Sequence, residues 1–285
     1  MHRAKILLTA ITFFAHNAVF GFEWRQFESL TNKEDYKATQ ALIDSEKADN
    51  SEKKLAKALL AILESRQSHM AVVTHPPNQK GSAGYIGSKT YFEPKKYAEG
   101  IESLSKFIAE NPDRLDARNA QLQIYLMADD FEAYEKSVHN FLDRDSKNSH
   151  KWYVQNQKAA EHNEHIAIGN VQRTLSSLFE RDDPRAYAVI KAVGQIMIKF
   201  FPRHIYGHNN VAVYHLLRDE FQLAVAPLET AHKIDPSDEQ VTRNLAYSYE
   251  KTGKTPLAKS IYKDLVRTGS DDAKEWAQSR LKGLK

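Results

Sequence analysis

Cysteine is absent from the 285 residues of the chain. Its absence excludes disulfide bonds, thiol catalysis, thiolate metal sites and a lipid-modified N-terminal cysteine. Glycine and proline are also scarce, at 11 and 9 residues, whereas hydrophobic residues make up 41% and charged residues 27% of the chain. Because helix formers dominate, this composition disfavours both intrinsic disorder and an all-β sandwich. We expect an all-α protein that is stabilised by packing alone.

The N-terminal sequence MHRAKILLTAITFFAHNAVFGFEW has the parts of a secretory signal peptide. Arg3 and Lys5 precede an apolar run, and Val19 and Gly21 have the spacing of the small residues at a processing site. The run is shorter than the roughly 20 apolar residues that cross a bilayer. We therefore expect cleavage after Gly21 and no membrane span in the processed protein. The alternatives are an uncleaved anchor and a first core helix.

A strong charge of either sign is missing as well. Removing Arg3 and Lys5 lowers the 40 basic residues to 38, against 37 acidic residues. No segment concentrates Lys and Arg among aromatic residues, as nucleic-acid-binding surfaces do, so we expect no nucleic-acid partner. Small extracellular animal domains usually depend on disulfides, so the absence of cysteine favours a bacterial periplasm. The expected location is periplasmic or secreted.

The most regular pattern lies in the stretch IDPSDEQVTRNLAYSYEKTGKTPLAKSIY, residues 234–262. Two apolar stripes at helical spacing are separated by Gly253, which predicts a helical hairpin. Ser237 and Gln240 form a capping-box pair before the first helix, and Pro256 suits the start of the second. This stretch carries no nucleophile, metal-ligand cluster or phosphate-binding loop.

The same pattern recurs immediately upstream, in residues 200–228. When the two stretches are aligned, alanines coincide in both helices: Ala212 with Ala246, and Ala224 with Ala258. The segments 205–238 and 239–272 therefore resemble tetratricopeptide (TPR) repeats, which have a period of 34 and small residues at fixed positions. A larger side chain where the two helices meet would overpack the contact by about 1 to 3 kcal/mol. The resemblance implies an α-solenoid of antiparallel hairpins, a TPR-like superhelix.

Other segments carry weaker forms of the pattern. The stretch YAEGIESLSKFIAENP has Gly100 at the small position of a second TPR helix, and the following segment predicts a turn at Asp129 and Asp130. We divide the chain into five parts: a signal peptide (1–21), an N-terminal helical region with a loop at 71–93 (22–93), degenerate TPR-like hairpins (94–204), two TPR repeats (205–272) and a capping helix (273–285).

Pro227 interrupts the expected second helix of the first repeat. Proline removes a backbone hydrogen bond there and clashes with the carbonyl group of Leu223, which costs roughly 3 kcal/mol unless the helix kinks or begins late. We predict a bend near Leu223.

The loop at 71–93 is the only long stretch rich in glycine and proline, and such loops are usually functional or disordered. GSAGYIGSKT differs from a phosphate-binding loop because Ser88 separates Gly87 from Lys89. A surface loop is the favoured interpretation. The alternative is a peptide-contacting flap anchored by three aromatic residues, Tyr85, Tyr91 and Phe92.

The histidines invite a metal-site hypothesis. His162 and His165 are three residues apart in EHNEH, which does not match the H-E-x-x-H metalloprotease motif. His204 and His208 have helical spacing, but the TPR register makes His208 and His215 packing residues. We expect no metal, no cofactor and no catalytic residue. The rival hypothesis is an envelope hydrolase or metal-dependent enzyme built from the 71–93 loop with His162, His165 or His204.

The expected working surface follows from the TPR resemblance, which implies that the first helix of each hairpin lines a concave groove. The exposed positions of these first helices carry aromatic, amide and cationic side chains, which suit an extended or helical peptide. We therefore predict an exported, non-enzymatic TPR scaffold or adaptor for a protein or peptide partner in the cell envelope. The sequence leaves the partner and the oligomeric state open. The predicted partner-binding residues are Tyr206, Asn209, Val213, Leu216, Gln240, Arg243, Tyr247 and Lys251.

Overall fold

A computed structural model describes residues 22–45, 51–73, 85–147, 151–154, 157–158 and 165–284. Over these ranges the protein has thirteen α-helices, and the predicted all-α solenoid class is confirmed. The α-helices are α1 Trp24–Asn32, α2 Tyr36–Ser45, α3 Ser51–Glu64, α4 Pro94–Glu110, α5 Leu115–Met127, α6 Phe131–Lys147, α7 Ile166–Leu175, α8 Pro184–Phe200, α9 Ile205–Leu216, α10 Phe221–Ile234, α11 Glu239–Lys251, α12 Thr255–Thr268 and α13 Asp271–Gly283. The other elements are a 3-10 turn, Ser176–Leu178, and four strands, β1 Arg66–Val73, β2 Tyr85–Phe92, β3 Tyr153–Val154 and β4 Gln157–Lys158. None of the helices in these ranges is long and apolar enough to cross a membrane.

The chain forms two compact units. Among the described residues, unit 1 contains 22–137 and 147–158, and unit 2 contains 138–146 and 165–284. Unit 2 carries the regular repeat. Its first helices α9 and α11 begin at Ile205 and Glu239, and its second helices α10 and α12 begin at Phe221 and Thr255. Both pairs of starts are separated by one repeat period, as the sequence predicts.

The alanines that define the repeat lie where the helices meet. Each is fully buried, so a larger side chain would displace its neighbours. They are Ala212, Ala224, Ala231, Ala246 and Ala258.

The turns inside the two hairpins have a matching backbone. Asp219 and Gly253 occupy equivalent positions in the two repeats, and both adopt the left-handed conformation, with φ of 56° and 75°. Glycine has no steric penalty there, and Asp is one of the few other residues that tolerate it. The predicted turn at Asp129 and Asp130 is also present, and Asp129 has a φ of 53°.

Two local details differ from the sequence analysis. Asp238, not Ser237, caps α11, and its carboxylate accepts a hydrogen bond from the Val241 backbone N–H at 2.8 Å. Helix α10 is continuous from Phe221 to Ile234 with Pro227 inside it, so proline does not interrupt it. The bend near Leu223 stays a prediction.

Helices α8 and α9 approach each other through glycine rather than alanine. A Cβ atom added to Gly207 would lie 2.9 Å from the Gly194 carbonyl oxygen and 2.9 Å from the Ile198 backbone nitrogen. A Cβ atom added to Gly194 would lie 3.0 Å from the Gly207 carbonyl oxygen. The two backbones therefore touch where the TPR pattern fades in the sequence.

Unit 1 is built on α1–α5 and has an aromatic cluster at its N-terminal end. The rings of Phe22, Trp24 and Phe27 meet edge to face at centroid distances of 4.7 to 5.9 Å, and all three are buried. On α4, Gly100 occupies the predicted small position, because a Cβ atom there would overlap the Ile62 side chain.

A buried ionic network joins three parts of unit 1. The Arg114 guanidinium group donates to both carboxylate oxygens of Glu52 at 2.8 and 3.1 Å, and to both of Asp116 at 2.9 and 2.7 Å. The Trp24 indole N–H also donates to Glu52, at 2.9 Å. These three charged residues are 5% exposed or less.

The loop assignment for residues 71–93 is wrong in part. Strands β1 and β2 pair antiparallel over their whole length, from Arg66 opposite Phe92 to Val73 opposite Tyr85. Strand β1 therefore precedes the glycine-rich segment, where the sequence analysis assigned a loop. Residues 74–84 lie outside the described residues. The Phe92 ring packs against Tyr97 on α4 at 4.9 Å, and a peptide-contacting role for Tyr85, Tyr91 and Phe92 stays a prediction.

Candidate functional site

The eight predicted partner-binding residues lie on the first helices α9 and α11 of unit 2. We call this surface the first-helix face. Gln240 and Lys251 are exposed, while five others are partly buried: Tyr206, Val213, Leu216, Arg243 and Tyr247. Asn209 is only 9% exposed, so the expectation that it faces a ligand is wrong. Leu216 packs against the hydrophobic core of the hairpins.

Asn209 is buried because it links two first helices. Its side-chain oxygen accepts a hydrogen bond from the Asn244 amide on α11 at 3.1 Å, and Asn244 in turn accepts one from Gln240 at 3.1 Å. At the position equivalent to Asn244, the Asn210 amide donates to Gln172 on α7 at 2.7 Å. Side-chain amides therefore connect α7 to α9 and α9 to α11.

Arg243 makes the next link, from α11 to α13. Its guanidinium group donates to the Asp272 carboxylate at 2.6 Å and lies 5.4 Å from the centre of the Trp276 ring. Charge-assisted hydrogen bonds of this kind are short and directional. Arg243 thus contacts the predicted capping helix, and its charge is already paired.

Four side chains from three helices form a cluster of cations and rings. We call it the Tyr247 cluster, and it consists of Phe221 at the start of α10, Tyr247 and Lys251 on α11, and Arg280 on α13. The Phe221 and Tyr247 rings meet edge to face at 5.6 Å. The Lys251 Nζ atom lies 5.3 Å from the Tyr247 centroid and 5.7 Å from that of Phe221, and the Arg280 Cζ atom lies 5.2 Å from that of Tyr247. Cations in this position are attracted by the ring faces.

The two cations of the Tyr247 cluster differ in their carboxylate partners. Arg280 forms an ion pair with Glu250, which also accepts a hydrogen bond from the Tyr262 hydroxyl at 2.7 Å. Burial raises the pKa of the Tyr262 hydroxyl, and the Glu250 carboxylate raises it further. Lys251, within the part of the chain that the structure describes, contacts ring faces but no carboxylate.

A concave feature lies beside the N-terminus of α11. It has a volume of about 410 Å³ and is lined in part by His232, Glu239, Thr242 and Asp264. The Glu239 carboxylate there accepts hydrogen bonds from the Ser270 hydroxyl and backbone N–H, which lower its pKa. The polar groups therefore bond to one another across the end of the hairpin and do not surround a common point as a catalytic cluster does.

The structure brings together two of the histidines in the metal hypothesis. The rings of His165 and His204 are 4.8 Å apart, while His162 lies outside the described residues. The His204 Nδ1 atom accepts a hydrogen bond from the Tyr206 backbone N–H, and His208 contacts the Pro202 carbonyl oxygen. In the described ranges, no three His, Asp or Glu side chains are arranged to hold a metal ion.

Sequence reasoning missed Phe221 and Arg280 as members of the site. Each contacts Tyr247 from a helix other than α11, and neither carries a motif of its own. Asn210 and Asn244 were detectable in principle, because they are identical residues at equivalent positions of the two repeats.

The first helices of the two hairpins begin at residues 205 and 239, and the second helices begin at 221 and 255. This separation of 34 residues is the period of tetratricopeptide repeats, and the fold is TPR-like. No protein-family model and no curated protein sequence matches the chain. The structure is similar to that of a tetratricopeptide repeat protein from Parabacteroides merdae, with 11% identity, a TM-score of 0.38, and coverage of 86% of this chain and 78% of that one. It is also similar to the assembly chaperone of RpL4 (Acl4, residues 1–338), with 9% identity, a TM-score of 0.39, and coverage of 91% and 95%.

Proposed function

We propose that this protein is a non-enzymatic scaffold that binds a protein or peptide partner through the first-helix face of unit 2. The observation that carries the proposal is the row of linked first helices, in which Asn209, Asn244 and Arg243 fix neighbouring helices while Gln240, Tyr247 and Lys251 remain accessible. A face that is rigid before binding loses little entropy when a partner docks.

Rigid aromatic groups support the same role. Tyrosine and arginine are enriched among residues that dominate binding energy, because they combine apolar area with a polar group. Tyr206 and Tyr247 are partly exposed, and Tyr247 is held by Phe221 and Arg280. TPR-like hairpins generally offer such extended surfaces.

Export belongs to the same proposal. The basic start, the apolar run and the small residues before Phe22 support cleavage after Gly21 and a location in the periplasm or outside the cell. N-terminal sequencing of the processed protein tests this step, and a sequence that begins before Arg3 or within the apolar run contradicts it.

Site-specific photocrosslinking in the native cell tests the binding role. A photoreactive amino acid is placed at Tyr247 and at Gln240 on the first-helix face, and at Lys263 on α12 as the matched control, because Lys263 is exposed on a second helix. We expect a discrete protein adduct from positions 240 and 247 only. Adducts from Lys263 alone, or from a probe at Phe92 alone, would place binding elsewhere. Stoichiometric zinc in the purified protein would favour the enzyme hypothesis.

A further inference from the structure

The Tyr247 cluster has one cation, Lys251, that no carboxylate of the described residues pairs with. Three neighbouring cations are paired: Arg243 with Asp272, Arg280 with Glu250, and Arg218, in the turn after α9, with Glu220. Lys251 is exposed, and in the described residues it has no carboxylate within ion-pair distance. Its three N–H donors are therefore free to meet a ligand.

Stacking prepares this lysine for binding. An unrestrained lysine loses rotamer entropy when its ammonium group is fixed, because its side chain is long and flexible. Here the ammonium group already lies between 5.3 and 5.7 Å from two ring centroids. The attraction to the ring faces reduces the number of rotamers that the free protein populates, so less entropy remains to be lost.

The surroundings of Lys251 indicate what kind of group would bind. Arg280, whose charge Glu250 balances, lies over the same Tyr247 ring, so the cluster of Lys251, Arg280 and Glu250 has a net charge of one positive unit. Phe221 and Tyr247 are only partly buried and supply apolar surface beside the ammonium group. A carboxylate next to an apolar side chain complements both properties.

We infer that Lys251 binds a side-chain carboxylate of an acidic segment in the protein partner, with Phe221 and Tyr247 as the apolar surface beneath the neighbouring partner residue. This inference rests on the proposed function and adds the chemistry of the partner. The inference concerns the side chains of Asp or Glu within a chain and not a C-terminal carboxylate. A C-terminal acidic residue carries two carboxylates, whereas Lys251 is, among the described residues, the single unpaired cation over the two rings.

Defined peptides test the inference. The probe is a fluorescent peptide of glutamate, leucine and tyrosine, acetylated and amidated so that side chains carry its only carboxylates. Binding to the full chain is measured by anisotropy at low salt, where exposed ion pairs are least screened. We expect Lys251→Gln to weaken binding up to about fivefold and Lys251→Glu to weaken it more. Lys251→Arg should bind like wild type, and Lys263→Gln is the matched surface control.

Two further peptides decide the assignment. A glutamine-for-glutamate peptide should bind weakly and show no dependence on residue 251. A peptide whose only carboxylate is C-terminal should also bind weakly. Equal binding by wild type and Lys251→Gln, no binding of the acidic probe, or equal binding of the glutamine or C-terminal peptides would each overturn the inference.

The crosslinking experiment separates this inference from the proposed function. A native partner that crosslinks at Gln240 equally well in the Lys251→Glu protein would leave the scaffold role standing and remove the acidic-segment assignment. Absence of any adduct on the first-helix face would remove the scaffold role, whatever the peptides do.

Discussion

The contact between α8 and α9 makes a quantitative prediction, because three helical glycines in unit 2 have different surroundings. Gly207→Ala places a methyl group 2.8 Å from the Ile198 Cγ1 atom and 2.9 Å from two backbone atoms, which cannot move without shifting a helix. Gly194→Ala meets one backbone oxygen at 3.0 Å and two side-chain carbon atoms at 3.1 Å. Gly169, on α7, has no atom within 4 Å of an added methyl group.

The expected free energies follow from two opposing effects. Replacing glycine by alanine within a helix stabilises it by about 0.8 to 1.0 kcal/mol. Overpacking costs about 1 to 3 kcal/mol. Gly207→Ala should therefore lower the free energy of unfolding by up to about 2 kcal/mol, and Gly194→Ala by less, because side chains can adjust more easily than backbone. Gly169→Ala should raise it by up to about 1 kcal/mol.

Urea unfolding of the three variants provides the measurement, followed by the fluorescence of Trp276, the tryptophan of unit 2. Trp24 and Trp152 lie in unit 1 and are replaced by phenylalanine in the common background so that only unit 2 is observed. If Gly207→Ala were as stable as Gly169→Ala, the close backbone contact between α8 and α9 would be wrong.

Two other predictions concern charge and ionisation. Arg114→Met should lower the stability of unit 1 by about 3 to 5 kcal/mol, because it removes the cation that pairs with the buried carboxylates of both Glu52 and Asp116. Adding Glu52→Gln and Asp116→Asn should recover much of this loss in urea unfolding, and no recovery would contradict the explanation. Burial and the Glu229 carboxylate raise the pKa of Tyr249 to about 12, above the value of about 10 of an exposed tyrosine. This contribution to stability is present below pH 10 and is lost as the pH rises towards 12, so Tyr249→Phe should flatten the decline of stability over that interval in pH-dependent unfolding, and an unchanged slope would count against it.

Some parts of the fold could be predicted because they depend on contacts between residues close in sequence. The two hairpins at 205–268 follow from apolar spacing, from small residues at the helix contact and from the turn at Gly253. Each of these signals acts within a single repeat. The same hairpin pattern recurs after one period, so the register of α9 to α12 could be predicted.

The features that were missed depend on distant residues. Glu52 and Arg114 are 62 residues apart, and no local pattern pairs them. The β1–β2 ribbon lies where a loop was expected. Its pairing joins segments on both sides of a stretch rich in glycine and proline, and no local pattern shows that these segments pair. Asn209 was assigned to the ligand-facing surface because a helical pattern identifies a face but does not show which neighbouring helix covers it.

In the proposed scaffold role, the same long-range contacts determine how selective the first-helix face can be. If all its polar groups were free, any charged or amide-rich segment could find partners, since water-exposed groups bind weakly and without much discrimination. In this protein the amides of Asn209 and Asn244 and the cations of Arg243 and Arg280 are already bonded across helices. A ligand that competes for them must leave one partner unsatisfied, which costs more than the new bond returns. We therefore propose that selectivity on this face depends on Tyr206, Gln240, Tyr247 and Lys251, whose side chains can gain a contact without breaking one of these cross-helix links.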